Sequence, residues 1–433
     1  MTNTIKTGCL EYPMQNQINA FLEANRQQII NLTSELIKSH NPHNLEDTRP
    51  SMKLVQDYLA CYQLSFTSLA KQATMPNLVT TLNPTKSGRK LLFNGHLDCL
   101  PVGNHEAWSP EPFSGAIKDG KIFGRGSADM KAGVVAMLVA YTYLSSIPDR
   151  LNGQLSLMLV SDEETGWGRG SYYVRQQMPE LKGVDGVLLA EPTHPETIAF
   201  SSKGYTEIKI TVNTSGAIAG YENLGTNAIV VASNIIQRLQ SFPAIAVQLP
   251  SPVQKVINTP ERRKWYEKRV GSGMANQLKK TTLTVSKFQA GDSTSMIPSN
   301  ATFKLMMVTP QNVNRQNILA RLRRIINKYP GAKMNVIGGD DADISVPGGK
   351  LYNDLHDAIL SVSQIDAQPV PEIAISDARY WRWDGIPAFW YGFNAETVGM
   401  ANEYIEIDQL FKLIKIYILT AINFLKGNED IEK

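Results

Sequence analysis

The sequence predicts an α/β protein in which a mixed sheet carries helices on both faces and a smaller α+β domain is inserted. Three observations lead to this prediction. The chain has 433 residues, more than one ordinary hydrophobic core holds. In its first half, apolar runs that end in polar residues alternate with helical patterns. In its middle, the strands alternate apolar and polar residues, as in a sheet with one exposed face.

The first predicted element is a helix within residues 15–39, where apolar residues recur every three or four positions. Strands are predicted in "KLLFNGHLDC", "LNGQLSLMLVSDEE" and "GVLLAEPT", each an apolar run that ends in polar residues. Between the first two, "KAGVVAMLVAYTYLSS" predicts a buried helix. Because ligands collect at the carboxyl ends of strands in such sheets, the polar residues there are candidate site residues.

Residues 204–344 form the predicted insertion, with the element order β-α-β-β-α-β of a small α+β unit. The chain then returns to a helix in "LYNDLHDAILSVSQ", a strand near "PAFWYGF" and a closing helix in "EIDQLFKLIKIYILTAINFLK". We expect these elements to rejoin the first domain. The main domain is therefore predicted to comprise residues 1–203 and 345–433.

The bulk composition excludes several classes of function. A net charge of +3 gives no reason to expect nucleic acid or a charged membrane surface as a partner. The three cysteines, Cys9, Cys61 and Cys99, are scattered and odd in number, which favours a reducing compartment over a disulfide framework. We see no signal peptide and no apolar run long enough to span a bilayer, and we therefore expect a cytoplasmic protein.

The stretch "GHLD" is the first candidate for metal chemistry. His96 and Asp98 alternate on a predicted strand, so both side chains can face the same side. Asp98 could bond the far ring nitrogen of His96, the arrangement that fixes the tautomer of a metal-bound His. The alternative for His96 taken alone is a hydrogen-bonded core residue.

Three further stretches carry acids at comparable places. Asp129 in "GRGSADMKAG" precedes a helix and could bridge two metals, or could simply cap that helix. Glu163 and Glu164 in "SDEETG" follow a buried strand, where one could bind metal and the other act as a general base; the alternative is a solvated loop. Glu191 follows another buried strand. Because uncompensated acids at buried strand ends are costly, the set together indicates a bound cation.

The chain resembles the zinc-dependent amidohydrolase and exopeptidase superfamily of aminoacylase, acetylornithine deacetylase and succinyl-diaminopimelate desuccinylase. The residues that carry the resemblance are "NGHLDCLPVG", "WSPEPFSGAIKDGKIFGRGSADMKAG", "SDEETG", "LLAEPT" and "SDARYWRWDGIPAFWYG". The resemblance implies a zinc-exopeptidase-like catalytic domain with an inserted lid domain that mediates homodimerisation. Its early motifs, in their order and spacing, are highly specific, whereas the middle of the chain matches by pattern only.

Residue by residue, the resemblance implies that His96, Asp129 and Glu191 hold one zinc, and that Asp129 and Glu164 contribute to a second. Glu163 would be the general base, which takes a proton from the attacking water and passes it to the leaving amine. Asp98 would assist catalysis by holding the metal-bound ring of His96 in place. One zinc is expected and a second is possible, with cobalt or manganese as substitutes.

The sequence departs from the family pattern at four polar positions. The last metal-ligating His falls on Gly399, and a lid His that stabilises the oxyanion falls near Ile218. The family's Asn before "IP" appears as Ser295, and an Arg that commonly meets the substrate carboxylate corresponds to Met307. Glu396 or Asn394 could supply oxygen in place of the missing metal ligand.

Candidate substrate contacts are Arg379 and Arg382 in "SDARYWRW" and Asn227 in the lid. Either Arg could hold a carboxylate through a bidentate pair; the alternative is a structural ion pair, for example with Asp377. The resemblance implies a metal-dependent hydrolase of an amide bond in an N-acyl amino acid, N-acyl amine or small peptide. The alternative is a diverged member that performs a non-hydrolytic reaction or only binds an amide or carboxylate ligand.

Overall fold

The computed structural model describes residues 11–40, 44–166, 168–242 and 247–426, and Cys9 lies outside them. The helices are α1 (Glu11–Ala24), α2 (Arg26–Lys38), α3 (Arg49–Cys61), α4 (Ala132–Ser145), α5 (Ser171–Gln177), α6 (Ala228–Gln240), α7 (Ser251–Asn258), α8 (Pro260–Val270), α9 (Met274–Gln277), α10 (Arg315–Ile326), α11 (Gly349–Ser363), α12 (Arg379–Arg382) and α13 (Ile407–Leu425).

The strands are β1 (Thr67–Leu69), β2 (Asn77–Leu82), β3 (Lys90–His96), β4 (Ile117–Lys118), β5 (Lys121–Phe123), β6 (Gln154–Val160), β7 (Gly186–Leu189), β8 (Thr197–Ser202), β9 (Gly204–Asn213), β10 (Ala217–Ile218), β11 (Thr282–Ala290), β12 (Met296–Ile297), β13 (Asn300–Thr309), β14 (Ala332–Asp340), β15 (Asp343–Ile344), β16 (Gln368–Pro371), β17 (Ala388–Trp390) and β18 (Tyr404–Glu406). Among the described helices, none is both long and apolar enough to cross a bilayer.

The chain forms two compact units. The larger contains residues 1–200, 345–369 and 376–433, and the smaller contains residues 201–344 and 370–375. The smaller unit thus begins at Ser201, a few residues before the predicted Gly204. It also includes Val370–Ile375, a segment that no sequence pattern distinguishes from its neighbours.

A mixed sheet organises the larger unit, in the strand order β1-β2-β6-β3-β7-β17-β8. The four central strands, β6, β3, β7 and β17, are parallel to one another. At either end of this group the pairing is antiparallel, between β2 and β6 and between β17 and β8. The predicted fold class, a mixed α/β sheet with an inserted smaller unit, is therefore confirmed. The carboxyl ends of β3, β6 and β7 share one edge of this sheet, which brings three of the acid- or His-bearing stretches together.

Helix α4 packs inside the larger unit, as its uniformly apolar sequence predicts. All of its residues from Ala132 to Leu144 are buried. The single helix predicted within residues 15–39 is instead two helices, α1 and α2. They meet at Asn25, whose backbone leaves the helical region and whose carboxamide donates to the Phe21 carbonyl at 2.7 Å. The spacing of apolar residues does not reveal such a break, because the break arises from a polar side chain that competes for backbone hydrogen bonds.

The smaller unit is an antiparallel sheet in the order β11-β13-β9-β14, with α6 and α10 packed on one face. The burial of β9 alternates residue by residue, as its sequence pattern predicts. Ile208, Ile210, Phe303 and Leu322 are among the residues of the core between sheet and helices. The predicted order β-α-β-β-α-β occurs as β9-α6-β11-β13-α10-β14, with α7, α8 and α9 inserted after α6.

Candidate metal centre

His96 is the last residue of β3 and is 1% exposed. Its Nδ1 lies 3.0 Å from the backbone oxygen of Asp98, so this nitrogen is occupied. Its Nε2 lies 3.2 Å from Oδ1 of Asp129 and 3.8 Å from Oε2 of Glu191. The ring thus presents Nε2 to two carboxylates, the geometry expected of a metal ligand whose other nitrogen is held by a carbonyl.

The Asp98 carboxylate has a different role from the one predicted. Its closest oxygen is 3.6 Å from Nδ1 of His96, so the backbone carbonyl of Asp98, and not the side chain, makes the short contact with the ring. The carboxylate accepts hydrogen bonds from the amides of Glu163 at 3.3 Å and Glu164 at 3.0 Å. It therefore connects the end of β3 to the loop after β6 and fixes the position of both glutamates.

Asp129 lies on an irregular turn before α4. Its φ and ψ are −123° and 93°, outside the helical region, and the Asp129–Met130 peptide is cis. The N-terminus of α4 has no side-chain cap, which rules out the capping alternative for Asp129. Its carboxylate instead points towards His96.

Glu403 supports the Asp129 turn from behind. Its Oε1 accepts from the amides of Ala128 at 2.9 Å and Asp129 at 3.3 Å, and its Oε2 forms an ion pair with Arg125. Both side chains of this pair are 1% exposed. Burial raises the pKa of Glu403 to about 7, although the Arg125 guanidinium opposes that rise.

Two overlapping groups in the described chain have the geometry to hold a metal ion. One consists of His96, Glu163 and Glu191, and the other of His96, Asp129 and Glu164; within each group, the ligand atoms lie within 4.8 Å of one another. Oε1 of Glu164 and Oε1 of Glu191 are buried and have no hydrogen-bond partner among the described residues. A cation would satisfy these buried oxygens, so the residues fit a divalent metal.

The pKa shifts within the cluster also fit a positively charged ion among the carboxylates. Burial raises the pKa of Glu163 and Glu164 well above the usual range, and neighbouring carboxylates raise it further. Burial also raises the pKa of Glu191 to about 7. Burial would lower the pKa of His96, but its contacts with Asp129 and Glu191 outweigh that effect and hold its pKa well above normal. Such mutual shifts are typical of a functional site.

Comparison with known proteins agrees with this geometry. Residues 92–423 match the model of Peptidase family M20/M25/M40. The chain belongs to this family. It is similar to a probable succinyl-diaminopimelate desuccinylase of Staphylococcus epidermidis, with 27% identity over 286 residues, 64% of this chain and 67% of the relative. As a family member, it belongs to the hydrolases that cleave amide and peptide bonds.

Solved structures of the M20 family share the fold of this member. A metallo-carboxypeptidase from Sulfolobus solfataricus aligns with a TM-score of 0.79 at 18% identity, covering 92% of this chain and 99% of that chain. A dinuclear metal binding peptidase from Bacillus subtilis aligns with a TM-score of 0.62 at 16% identity, covering 93% of this chain and 99% of that chain.

Arg379 lies beside the candidate general base of this M20 member. Its Nη1 is 3.8 Å from Oε1 of Glu163 and 3.5 Å from Oδ1 of Asp377, and its side chain is 2% exposed. Asp377 in turn accepts from the Ser171 hydroxyl at 2.5 Å. The ion pair with Asp377 that the sequence offered as an alternative is therefore present, and a contact of Arg379 with substrate stays a prediction.

Two further predicted substrate residues make hydrogen bonds within the protein, and their contact with substrate stays a prediction. Arg382 donates to the carbonyls of Ala388 at 2.9 Å and Ala199 at 3.3 Å, so its guanidinium ties β17 to β8. In the smaller unit, the carboxamide oxygen of Asn227 accepts from the amides of Ile229 and Val230. Asn227 thus caps α6, a role that Asn fills because its side chain reaches the unpaired amides of the first turn.

The four departures from the family pattern have distinct surroundings. Gly399 has a φ of +74°, and its carbonyl accepts from Arg125 at 3.0 Å. Glu396 belongs to neither of the two metal-binding groups among the described residues, and the side-chain oxygen of Asn394 accepts from the Glu396 amide at 3.4 Å. Within the smaller unit, Ile218 and Ser295 are exposed, whereas Met307 is buried in the core.

Sequence reasoning missed Arg125, although "FGRGSAD" contains it. Arg125 follows Gly124 and precedes Gly126, both with positive φ, in a turn that folds its side chain into the protein. A buried Arg between two glycines indicates a partner carboxylate. That partner, Glu403, lies 278 residues away in the chain, and no local pattern could pair the two.

Proposed function

We propose that this M20 family member is a zinc-dependent hydrolase of an amide bond in a small N-acyl amino acid, N-acyl amine or short peptide. The observation that carries the proposal is the pair of unpartnered, buried carboxylate oxygens of Glu164 and Glu191 around Nε2 of His96. The desuccinylase similarity supports an N-acyl substrate, and the metallo-carboxypeptidase and dinuclear peptidase structures support metal dependence.

His96, Asp129 and Glu191 would hold the first zinc, with Glu164 contributing to a second position; cobalt or manganese could substitute. When bound, the ion would polarise the substrate carbonyl and acidify water. Both three-residue groups need the single free nitrogen of His96, since Nδ1 is taken by Asp98. With Gly399 in place of the last His, the second position offers carboxylates only. We therefore infer one firmly held ion.

Glu163 would serve as the general base. Burial and neighbouring acids hold its pKa well above that of an ordinary carboxyl, so it can accept a proton from the attacking water and retain it. The same carboxyl then delivers the proton to the leaving nitrogen. The Asp98 carboxylate keeps Glu163 in position through the Glu163 amide, and Arg379 lies against its oxygen.

The cysteines bear on the cellular compartment of the protein, and the exposed apolar side chains bear on its oligomeric state. Cys61 and Cys99 are both free thiols, which favours the cytoplasm. The smaller unit exposes Ile218, Leu224 and Val230, each more than half accessible. We propose that this unit acts as the lid and mediates a homodimer, because exposed apolar side chains of this kind favour a protein partner.

The test is amine release by the zinc-loaded protein from a panel of N-acyl amino acids, including N-succinyl compounds, and dipeptides. We expect turnover of at least one substrate, and none by Glu163→Gln. The exposed Ile218 at the position of the lid His favours a second candidate, a non-hydrolytic or binding role. Absence of amine release across the panel, from protein with zinc bound, would support that role and contradict hydrolysis.

A further inference from the structure

The segment that lacks the last metal-ligating His is attached to the rest of the larger unit by buried contacts of its own. Arg125 donates to the carbonyl of Gly399 at 3.0 Å and forms an ion pair with Glu403. The backbone carbonyl of Glu403 accepts from the Gly124 amide at 2.8 Å. Residues 399–403 are therefore held without any metal ligand among them.

The same contacts lead directly to Asp129. One carboxylate oxygen of Glu403 accepts from two successive amides, those of Ala128 and Asp129, and the other is engaged by Arg125. These amides belong to the irregular turn that aims the Asp129 carboxylate at Nε2 of His96. The amides of Ala128 and Asp129 lie at the start of this turn, where a helix leaves its N–H groups without an intrahelical partner, and the dihedral angles at Asp129 and Met130 are non-helical.

We propose that Glu403 and Arg125 are positioning residues for the metal site: Glu403 fixes the Asp129 turn, and Arg125 fixes Glu403 by binding the Gly399 carbonyl as well. Neither side chain touches the proposed ion, and both act through Asp129. The segment 399–403 thus supports a proposed metal ligand, although it contains no proposed ligand itself. This inference rests on the proposed metal site.

The length of the Glu403 side chain is the property to test. Glu403→Asp retains the negative charge but shortens the side chain by one methylene, so the carboxylate no longer reaches both amides. The matched control is Glu406→Asp, the same change three residues on, at an exposed position that faces Lys121 across β18 and β5. Arg125→Lys tests the same link from the other side, because an ammonium group does not bind Glu403 and the Gly399 carbonyl together in the manner of a guanidinium.

The measurement is the affinity for Zn²⁺ by competition with a chromophoric chelator, together with the visible absorption spectrum of the Co²⁺-loaded protein. Removing a group that orients a metal ligand typically costs about 10- to 100-fold in metal affinity. We expect Glu403→Asp and Arg125→Lys each to bind Zn²⁺ at least about tenfold more weakly, with an altered Co²⁺ spectrum, and Glu406→Asp to match the parent protein.

Asp129→Asn separates the two proposals. If the parent protein binds no zinc, or if Asp129→Asn binds it as well as the parent does, the proposed metal site fails. If Asp129→Asn binds weakly while Glu403→Asp and Arg125→Lys match the parent in affinity and spectrum, only the positioning role is overturned. Should Glu403→Asp not fold, as judged by circular dichroism, Arg125→Lys gives the decision by the same criterion.

Discussion

Some side chains of the site are proposed to bind the metal, and others hold the binding residues in place. His96, Asp129, Glu164 and Glu191 are the proposed metal ligands, while Asp98 holds the loop that carries the glutamates. Both carboxylate oxygens of Asp98 accept from backbone amides, so this side chain has a structural role. Glu163, which also belongs to one of the two groups that could hold a metal, is buried beside Arg379 and is the proposed general base.

Glu163→Gln tests the proposed general base. The amide has nearly the same size but accepts no proton, so the rate should fall by at least about a hundredfold. Zinc content should stay at the parent level, because His96, Asp129 and Glu191 are intact. The measurements are amine release and elemental analysis on the same sample. A variant that retains the parent rate would remove Glu163 from the mechanism.

The residues that cluster at the proposed metal site could be singled out from the sequence because each follows a strand or turn with a recognisable pattern. The partners of those residues could not. Alternation placed His96 and Asp98 on one face, yet the ring bonds the Asp98 carbonyl, since the face of a strand does not determine which atom comes closest. Likewise, no sequence pattern showed that Arg382 donates to the Ala388 carbonyl or that Asn227 accepts from the Ile229 amide, because the folded backbone determines these partners; contact of either residue with substrate stays a prediction.

Helix α4 is the element that fixes the site to the core. Gly133, near its first turn, packs directly against Ala190, the residue before Glu191. A Cβ built at Gly133 would lie 2.7 Å from both the Cβ and the carbonyl oxygen of Ala190. The absence of a side chain at this position therefore allows the helix to approach the strand end that carries a proposed metal ligand.

Gly133→Ala should destabilise the protein although Ala favours helices over Gly. The close approach to Ala190 forces a backbone shift, and overpacking of this kind costs about 1–3 kcal/mol. We expect the free energy of unfolding, measured by urea denaturation, to fall by at least about 1 kcal/mol. Gly183→Ala is the control, because a Cβ at Gly183 has no atom within 4 Å in the described chain. Equal stability of the two variants would contradict the tight packing of α4.

The elements themselves were mostly predictable, and the exceptions have local causes. The order of strands and helices in the smaller unit follows from a clear change of periodicity after Gly204. The break between α1 and α2 does not, because it depends on one hydrogen bond of the Asn25 side chain. Likewise, Val370–Ile375 groups with the smaller unit through contacts between distant parts of the chain.

At the scale of the whole molecule, the buried His40 makes stability depend on pH. Burial, with Lys131 nearby, lowers the pKa of His40 from 6.5 to about 3. The ring is 3% exposed, stacks on Phe113 and lies 3.6 Å from the Cys99 sulfur. Between these two pKa values the unfolded chain binds a proton that the folded chain does not, so His40 reduces stability as the pH falls through 6.5.

His40→Gln should remove this dependence. Between pH about 7.5 and pH about 5.5, the parent protein should lose about 1 kcal/mol more unfolding free energy than the variant does. Urea denaturation of both proteins at both pH values gives the difference, and the comparison cancels the contributions of the acidic cluster. An identical loss in the two proteins would show that His40 takes up its proton in the folded state as well.

The proposed function depends on a metal ion in the cluster around His96. Elemental analysis of the purified, zinc-supplied and dialysed protein tests it most directly. The buried, unpartnered oxygens of Glu164 and Glu191 predict about one zinc per chain, and much less in Asp129→Asn. A protein that retains no zinc after being supplied with it would contradict the proposed metal site.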